Sequence, residues 1–412
     1  MTYTKSRSGE IIVGPFPKGM NNKAKPHALP EGTARNIVNG DIDDQGKISR
    51  RQGLTKVYNG LGTKCGFNCP VGEFFVEENS LKKLHTDNSS SVLYRGIFGS
   101  TFTYEYFDGI VYFSDGLVCK QIVSGIVLPW GLPSPSKPVL SESSGELSPG
   151  VYLASYSWVD SSGTESGASD ISTILLTSEA GISFNVLPGV VPGATALRIY
   201  LSTPNGSELY HVVDTLDASF TLTSDKYDDG NVLELSFVSS PPPGSIIRIY
   251  KGRMYIVTGK IIWYSEPYSF SHFKLGESFL QFPYETTVME PVDSGIFLAN
   301  DRETFFYSGT PEEGFNITTK FNYGGLSDTG RKILGTSEVT WLSKRGVIVG
   351  SADGQCKNIQ EANVATESGT SGATLVREQD GIKRIIACIN DPQPSSLAAT
   401  SFIEAEIIRR AI

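Results

Sequence analysis

Apolar residues in this chain alternate with polar ones in short runs, and glycine, aspartate, asparagine or lysine corners separate the runs. Tyr104-Glu105-Tyr106-Phe107 meets Asp108-Gly109, then Ile110-Val111-Tyr112-Phe113, then Asp115-Gly116. Ile246-Ile247-Arg248-Ile249-Tyr250 turns at Lys251-Gly252 into Met254-Tyr255-Ile256-Val257, and Gly295 to Ala299 turns at Asn300-Asp301 into Phe305-Phe306-Tyr307. Period two across such corners predicts antiparallel hairpins. The corner residues Gly252, Asp301, Arg345 and Gly381 stand 49, 44 and 36 residues apart. A loose period of about forty residues matches one four-stranded propeller blade. The expected fold is therefore all-β, an irregular β-propeller-like domain, with an irregular stack of sandwiches as the alternative.

The texture changes between two proline-rich stretches, Pro133-Ser134-Pro135-Ser136-Lys137-Pro138 and Ser239-Ser240-Pro241-Pro242-Pro243-Gly244. A sheet interior does not accept such runs, so they read as stiff linkers. Between them, Gly150 to Asp160 alternates large and small residues, Ser161 to Gly167 is a polar turn, and Ala196 to Thr203 is a further strand ending near Asn205-Gly206. About seven short strands in about a hundred residues, with Trp158 on a central one, predict an inserted fibronectin- or immunoglobulin-like β-sandwich. The expected organisation is 1–132 and 241–412 as two parts of the propeller-like domain and 133–240 as the insert. The stretch 395–412 is the best helix candidate, yet Ile403, Ile407 and Ile408 fit a strand period as well.

Charge sharpens this division. Of 412 residues with net charge −9, residues 1–60 carry ten Lys/Arg against five Asp/Glu, and residues 137–236 carry three against thirteen. The first segment is thus +5 and the insert −10, which implies different neighbours for the two. No apolar run reaches the roughly 18 residues that span a bilayer, and the first residues lack the apolar core of a secretory signal. A soluble protein made in the cytoplasm, with no membrane insertion, is expected.

The sequence has no Gly-x-Ser-x-Gly elbow, no Walker-type loop and no His-Glu-x-x-His, and an enzyme is not expected. Asp228-Asp229 and Glu312-Glu313 read as solvated turn charge, and Ser351-Ala352-Asp353-Gly354 is a single Asp-box-like turn without the box's tryptophan. Asp41-Ile42-Asp43-Asp44-Gln45-Gly46 has the spacing of a short calcium loop, but Gln52 stands where a bidentate Glu belongs. A hairpin turn whose Asp side chains bond local N–H groups is the preferred reading. Lys47, Arg50 and Arg51, with Lys56 nearby, form a candidate contact to phosphate or to a neighbouring subunit. Cys119, Cys356 and Cys388 read as buried free thiols. Cys65 and Cys69 read as two unpaired thiols, with a loop disulfide or a zinc site as alternatives for which further ligands lack the spacing. No cofactor or metal is expected.

Three groups of motifs resemble a known family. The first comprises Gly19-Met20-Asn21-Asn22, Leu29-Pro30-Glu31-Gly32-Thr33-Ala34-Arg35-Asn36 and Asp41-Ile42-Asp43-Asp44-Gln45-Gly46-Lys47-Ile48-Ser49-Arg50-Arg51-Gln52-Gly53. The second is Lys251-Gly252-Arg253-Met254-Tyr255 followed by Ile262-Trp263-Tyr264-Ser265-Glu266-Pro267. The third is Asp391-Pro392-Gln393-Pro394 through Phe402-Ile403-Glu404-Ala405-Glu406. Together they resemble the tail nozzle, or packaged-DNA stabilisation, proteins of short-tailed bacteriophages. The resemblance implies a propeller-rich virion subunit in a ring, a hexamer, attached below the portal and adaptor proteins. It would retain packaged DNA, lie close to it without sequence preference, and form part of the path for ejection. The competing expectation is a receptor- or glycan-binding adhesin, in which Trp130, Tyr264 or Tyr323 stack on sugar rings.

Overall fold

The computed structural model describes residues 3–5, 11–43, 45–51, 53, 55–225, 228–365, 369–379, 381–390 and 401–407. These residues are all-β. Their only helical element is one 3-10 turn, Pro26–Ala28, and no helix is long and apolar enough to cross a membrane. The chain divides into two compact units, Gly60–Gln281, and Met1–Asn59 with Phe282–Ile412. The sequence boundaries at 132/133 and 240/241 fall inside the first of these.

Five four-stranded antiparallel sheets recur among the described residues, each a simple meander in chain order. In the unit Gly60–Gln281 they begin at the strands Lys64–Cys69, Thr103–Phe107 and Ile246–Tyr250; in the other unit they begin at Val288–Val292 and Arg331–Lys332. Tight corners set the register. Asp108-Gly109, Ser124-Gly125 and Lys251-Gly252 all hold positive φ at both residues, the backbone of a two-residue hairpin turn whose twist matches that of the strands. The second strands Ile110–Ser114, Arg253–Thr258 and Gly295–Ala299 are buried almost throughout. Apolar clusters explain this. Phe74, Val76, Leu81, Val111 and Phe113 join the first two meanders of their unit, Tyr112, Trp130, Met254, Ile256 and Phe273 join the second and third, and Val288, Phe297, Val339, Trp341 and Ile348 join the two of the other unit.

Two corners that follow second strands share a device. Asp115, 1% exposed, accepts Phe98 N–H and Gly99 N–H at Oδ2 (both 3.0 Å) and Leu117 N–H and Val118 N–H at Oδ1 (both 2.8 Å). Asn300 Oδ1 accepts Arg302 N–H (2.7 Å) and Glu303 N–H (2.8 Å) in the same way. In both places a glycine leans on the corner carbonyl. A Cβ at Gly99 would lie 1.6 Å from Asp115 O, and one at Gly324 would lie 1.9 Å from Asn300 O.

Between the second and third meanders stand two facing sheets. One has the order Leu140–Leu147, Ala180–Phe184, Phe220–Leu222; the other has the order Ser172–Leu176, Gly150–Asp160, Ala194–Ser202, Leu209–Thr215, Asp228–Val232. Tyr152, Tyr156, Trp158, Phe184 and Leu147 fill the space between them, as expected of inward positions on alternating strands. Trp158 is a core residue. Where the chain enters and leaves these sheets its two ends meet, Ser134 Oγ donating to Val238 O (3.4 Å).

Of the ambiguous stretch 395–412, Ser401–Ile407 is a strand, pairing antiparallel with Ile382–Asn390. Ile403, and not a helical face, thus stands opposite Ala387. The remainder, 395–400 and 408–412, lies outside the described residues.

Burial alone pushes the Asp115 carboxyl up, but the four N–H donors outweigh it and hold its pKa below the ordinary value. A depressed native pKa contributes stability that is full above the unfolded value near 4 and is lost as pH falls through the native value. Asp115→Ala should therefore lower unfolding free energy by about 3 kcal/mol at neutral pH. Urea titrations should show that deficit shrinking below about pH 4.

Candidate functional site

The N-terminal hairpin pairs Gly40–Ile42 with Ile48–Arg50, and the three cations that the sequence groups together lie on or beside its second strand. Arg51 Nε donates to Asp41 Oδ1 at 3.1 Å, a structural ion pair across the base of the turn. Lys47 and Arg50 are exposed. Asp43 Oδ1 accepts Gln45 N–H (3.0 Å) and Lys47 N–H (2.8 Å), an Asx turn. Asp41 and Asp43 are thereby engaged locally, as the preferred hairpin reading expects; Asp44 and Gln52 lie outside the described residues. No group of three His, Cys, Asp or Glu residues able to hold a metal occurs among the described residues. The tip of the turn is wedged in place: Gly46 O accepts Phe16 N–H (2.7 Å), and at φ +80° a Cβ on Gly46 would lie 2.3 Å from Pro17 N.

The second motif group also resolves into one corner. Gly252 O accepts Tyr268 N–H at 2.7 Å, and the Tyr268 ring lies so close over Gly252 that a Cβ there would meet it at 2.8 Å. Arg253 is buried, donates from Nη1 to Ser265 O (2.5 Å), and stands 5.6 Å from the centre of the Tyr264 ring. Ser265 Oγ accepts Met254 N–H (3.0 Å) and donates to Glu266 O (2.9 Å). Each of these residues braces the turn between Ile246–Tyr250 and Arg253–Thr258 or the loop packed against it.

The largest ionisable cluster was missed by sequence reasoning. On the face of the sandwich opposite its core, Arg198 donates from Nη1 to Glu165 Oε1 (2.5 Å) and from Nε and Nη2 to the two Asp214 oxygens (2.8 Å each). Tyr200 Oη and Ser157 Oγ both donate to Glu165 Oε2 (2.7 Å each), and His211 Nε2 lies 3.1 Å from Asp214 Oδ1. His272 points Nε2 at Glu165 O (2.6 Å), which accepts, so Nδ1 is left to accept from Ser269 Oγ (2.8 Å). A polar cleft of about 380 Å³ opens beside this cluster, lined by Glu165, Tyr200, Asn231, Glu234 and His272 among others. The guanidinium bonds hold Asp214 below the ordinary carboxylate range and, reciprocally, Asp214 raises Arg198; burial, then Glu165, raises Tyr200. Glu165 and Asp214 are therefore charge-paired braces that fix the segment around Ser166 and Ser169 onto the sheet. The signal was present in Ser155 and Ser157, small polar residues alternating with Tyr156 and Trp158 on a strand whose outer face is itself buried.

Other sequence candidates are dispersed. Trp130 and Tyr323 are core residues and Tyr264 is half-buried under Arg253, so the three aromatics form no sugar-stacking platform. Glu312 and Glu313 sit in an exposed turn, Asp353 accepts Gln355 N–H (3.2 Å) within its own turn, and the side chains of Asp228 and Asp229 lie outside the described residues. All five cysteines are free. Cys119, Cys356 and Cys388 are half-buried rather than buried, and burial pushes the first two thiols up to about 12 and about 11. Cys65 and Cys69 lie on one strand, Lys64–Cys69, rather than in a loop.

No family model matches the chain, and no curated protein does. Solved structures with a similar course of chain include three at low identity. PorZ, a bacterial surface component of the type-IX secretion system of Porphyromonas gingivalis, is 8% identical with a TM-score of 0.29; the match covers 81% of this chain but 38% of PorZ. BBS1N, solved in complex with ARL6DN, is 9% identical with a TM-score of 0.32, covering 82% of this chain and 95% of that one. The AfRom2 CNH domain is 6% identical with a TM-score of 0.29, covering 85% and 95%.

Arg198→Ala would strand two carboxylates at once. Because solvent reaches Asp214, the expected loss is about 2 kcal/mol, below that of a fully buried pair. Since Asp214 is depressed by Arg198, this deficit should be full above about pH 4 and diminish as pH falls further, which denaturant titrations of the two proteins at pH 7 and pH 3 would check. Gly46→Ala should cost about 2 kcal/mol through the left-handed backbone and the Pro17 clash, read as a lowered melting temperature.

Proposed function

We propose that this protein is a structural subunit of a bacteriophage tail, a nozzle or head-to-tail conduit that retains packaged DNA and forms part of the path for its ejection. The observation that carries this reading is the fate of the motifs that resemble the family. Gly46, Gly252, Arg253 and Ser265, the motif residues with the tightest environments, are wedges and braces of β-scaffold. Such a motif set suits a protein selected for shape and rigidity. Repeated four-stranded meanders arranged as propeller blades, with the acidic sandwich projecting from them, are the architecture proposed.

Charge supports the same reading. The chain's −9 less the insert's −10 leaves the remainder at +1. A wall this close to neutral neutralises few phosphates, and each one avoided removes salt-dependent affinity that would slow a passing duplex. The acidic sandwich then faces other tail proteins, where charge complementarity selects partners. The assembly proposed is a ring, six copies by the family resemblance, joined to portal and adaptor proteins and made in the host cytoplasm before incorporation into the virion.

Electron cryomicroscopy of the purified protein and of virions tests this. A sixfold ring on the tail axis beneath the portal is the expected result. A trimer at a fibre tip, or a monomer that binds glycans and has no place on the axis, would overturn the reading in favour of an adhesin.

A further inference from the structure

We propose that Asn59, followed by Gly60, is a self-modifying site at which the folded protein converts its own side chain into aspartate and isoaspartate through a cyclic imide.

Three Asn-Gly pairs occur in the chain, at 39–40, 59–60 and 205–206. In such a pair the glycine nitrogen, once deprotonated, attacks the asparagine Cγ, because no Cβ on the following residue shields it. The new N–Cγ bond closes a five-membered imide, the Cγ–Nδ2 bond breaks, and ammonia leaves carrying the proton that the glycine nitrogen gave up. Water then opens the ring at either carbonyl. One opening restores the ordinary backbone with an aspartate side chain; the other routes the backbone through the side chain, as isoaspartate. Solvent supplies both the base and the water.

The fold separates the three pairs. Asn205 is tied at both reacting groups: its Oδ1 accepts Val151 N–H (3.1 Å), and Gly206 N–H donates to Thr203 O (2.9 Å). Asn39 is held through its peptide instead. Its carbonyl accepts Arg51 N–H (2.9 Å), and Gly40, which opens the strand Gly40–Ile42, is packed so closely that a Cβ on it would lie 3.0 Å from Ile37 Cγ2 and 3.1 Å from Ile48 Cγ2. Closing the imide swings the peptide between the two residues, and this packing resists it.

Asn59 has neither restraint. It is exposed, residues 55–63 form no strand or helix, and neither its side chain nor the Gly60 N–H has a hydrogen-bond partner among the described residues. The chain is next fixed at Leu61, whose N–H donates to Glu77 Oε1 (2.9 Å). Each conversion adds one negative charge to residues 1–60, whose balance is otherwise +5.

Peptide mapping by mass spectrometry, after incubation of the native protein at neutral and at mildly alkaline pH, is the test. Digestion in heavy-oxygen water gives any conversion during digestion its own mass label. The Asn59 peptide should exchange NH2 for OH first, faster at the higher pH, and should become a substrate for a protein isoaspartate methyltransferase. Asn39 and Asn205 should lag on the order of tenfold or more, because reaction there must await local opening. In concentrated urea the three rates should converge, and Gly60→Ala should slow the Asn59 reaction on the order of tenfold or more by placing a Cβ beside the attacking nitrogen. Three equal rates in the native protein, a lead by Asn39 or Asn205, or an order that persists in urea would overturn the proposal. So would an Asn59 that is inert when folded yet reacts in urea. An unchanged rate in Gly60→Ala, or a mass gain without methyltransferase labelling, would overturn the imide route, since direct hydrolysis gives no isoaspartate.

Discussion

The fold depends on closing strand corners without leaving backbone N–H groups unpaired. Asp115 and Asn300 do this in the two units with one short side chain each, accepting the N–H groups of the residues that follow. Asp115 reaches further and captures Phe98 and Gly99, so the loop leading into a meander and the corner within it are held by one carboxylate. Glycine is required where that loop touches the corner, because the carbonyl of Asp115 occupies the space a Cβ would need. Hydrophobic burial then supplies the bulk of the stabilisation between sheets.

The same economy of local bonds governs the ionisable groups. Glu165 and Asp214 are held by Arg198, Asp41 by Arg51, and Asp43 by its own turn. Where charge is left without a partner among the described residues, at Lys47, Arg50, Asp170 and Glu179, it lies on or next to exposed strand ends. Internal charges brace, and outer charges are available to other molecules.

Much of the fold was legible from local rules. Asp108-Gly109 and Lys251-Gly252 announce hairpins because few other residue pairs tolerate two left-handed backbones in succession. Trp158 amid alternating small residues identifies a sandwich core strand. The C-terminal stretch was less legible, because Ile403 and Ile407 satisfy either period and only pairing with Ile382–Asn390 decides for a strand. The Arg198 cluster was legible only as the alternation of Ser155 and Ser157 with Tyr156 and Trp158. Its members are spread from Ser157 to His272, and such non-local side-chain convergence leaves no spacing to read. Of the three grouped cations, Arg51 pairs with Asp41, a partner that adjacency in sequence does not announce.

The hydrogen bond between Ser134 and Val238 joins two points that lie 104 residues apart in the chain. Everything between them leaves and returns at almost one place, and beyond that junction His272 reaches across to Glu165 O. A lineage could lose this module, lengthen it or exchange it for another while the surrounding meanders kept their geometry. Insert and frame are thereby free to change at different rates within one polypeptide.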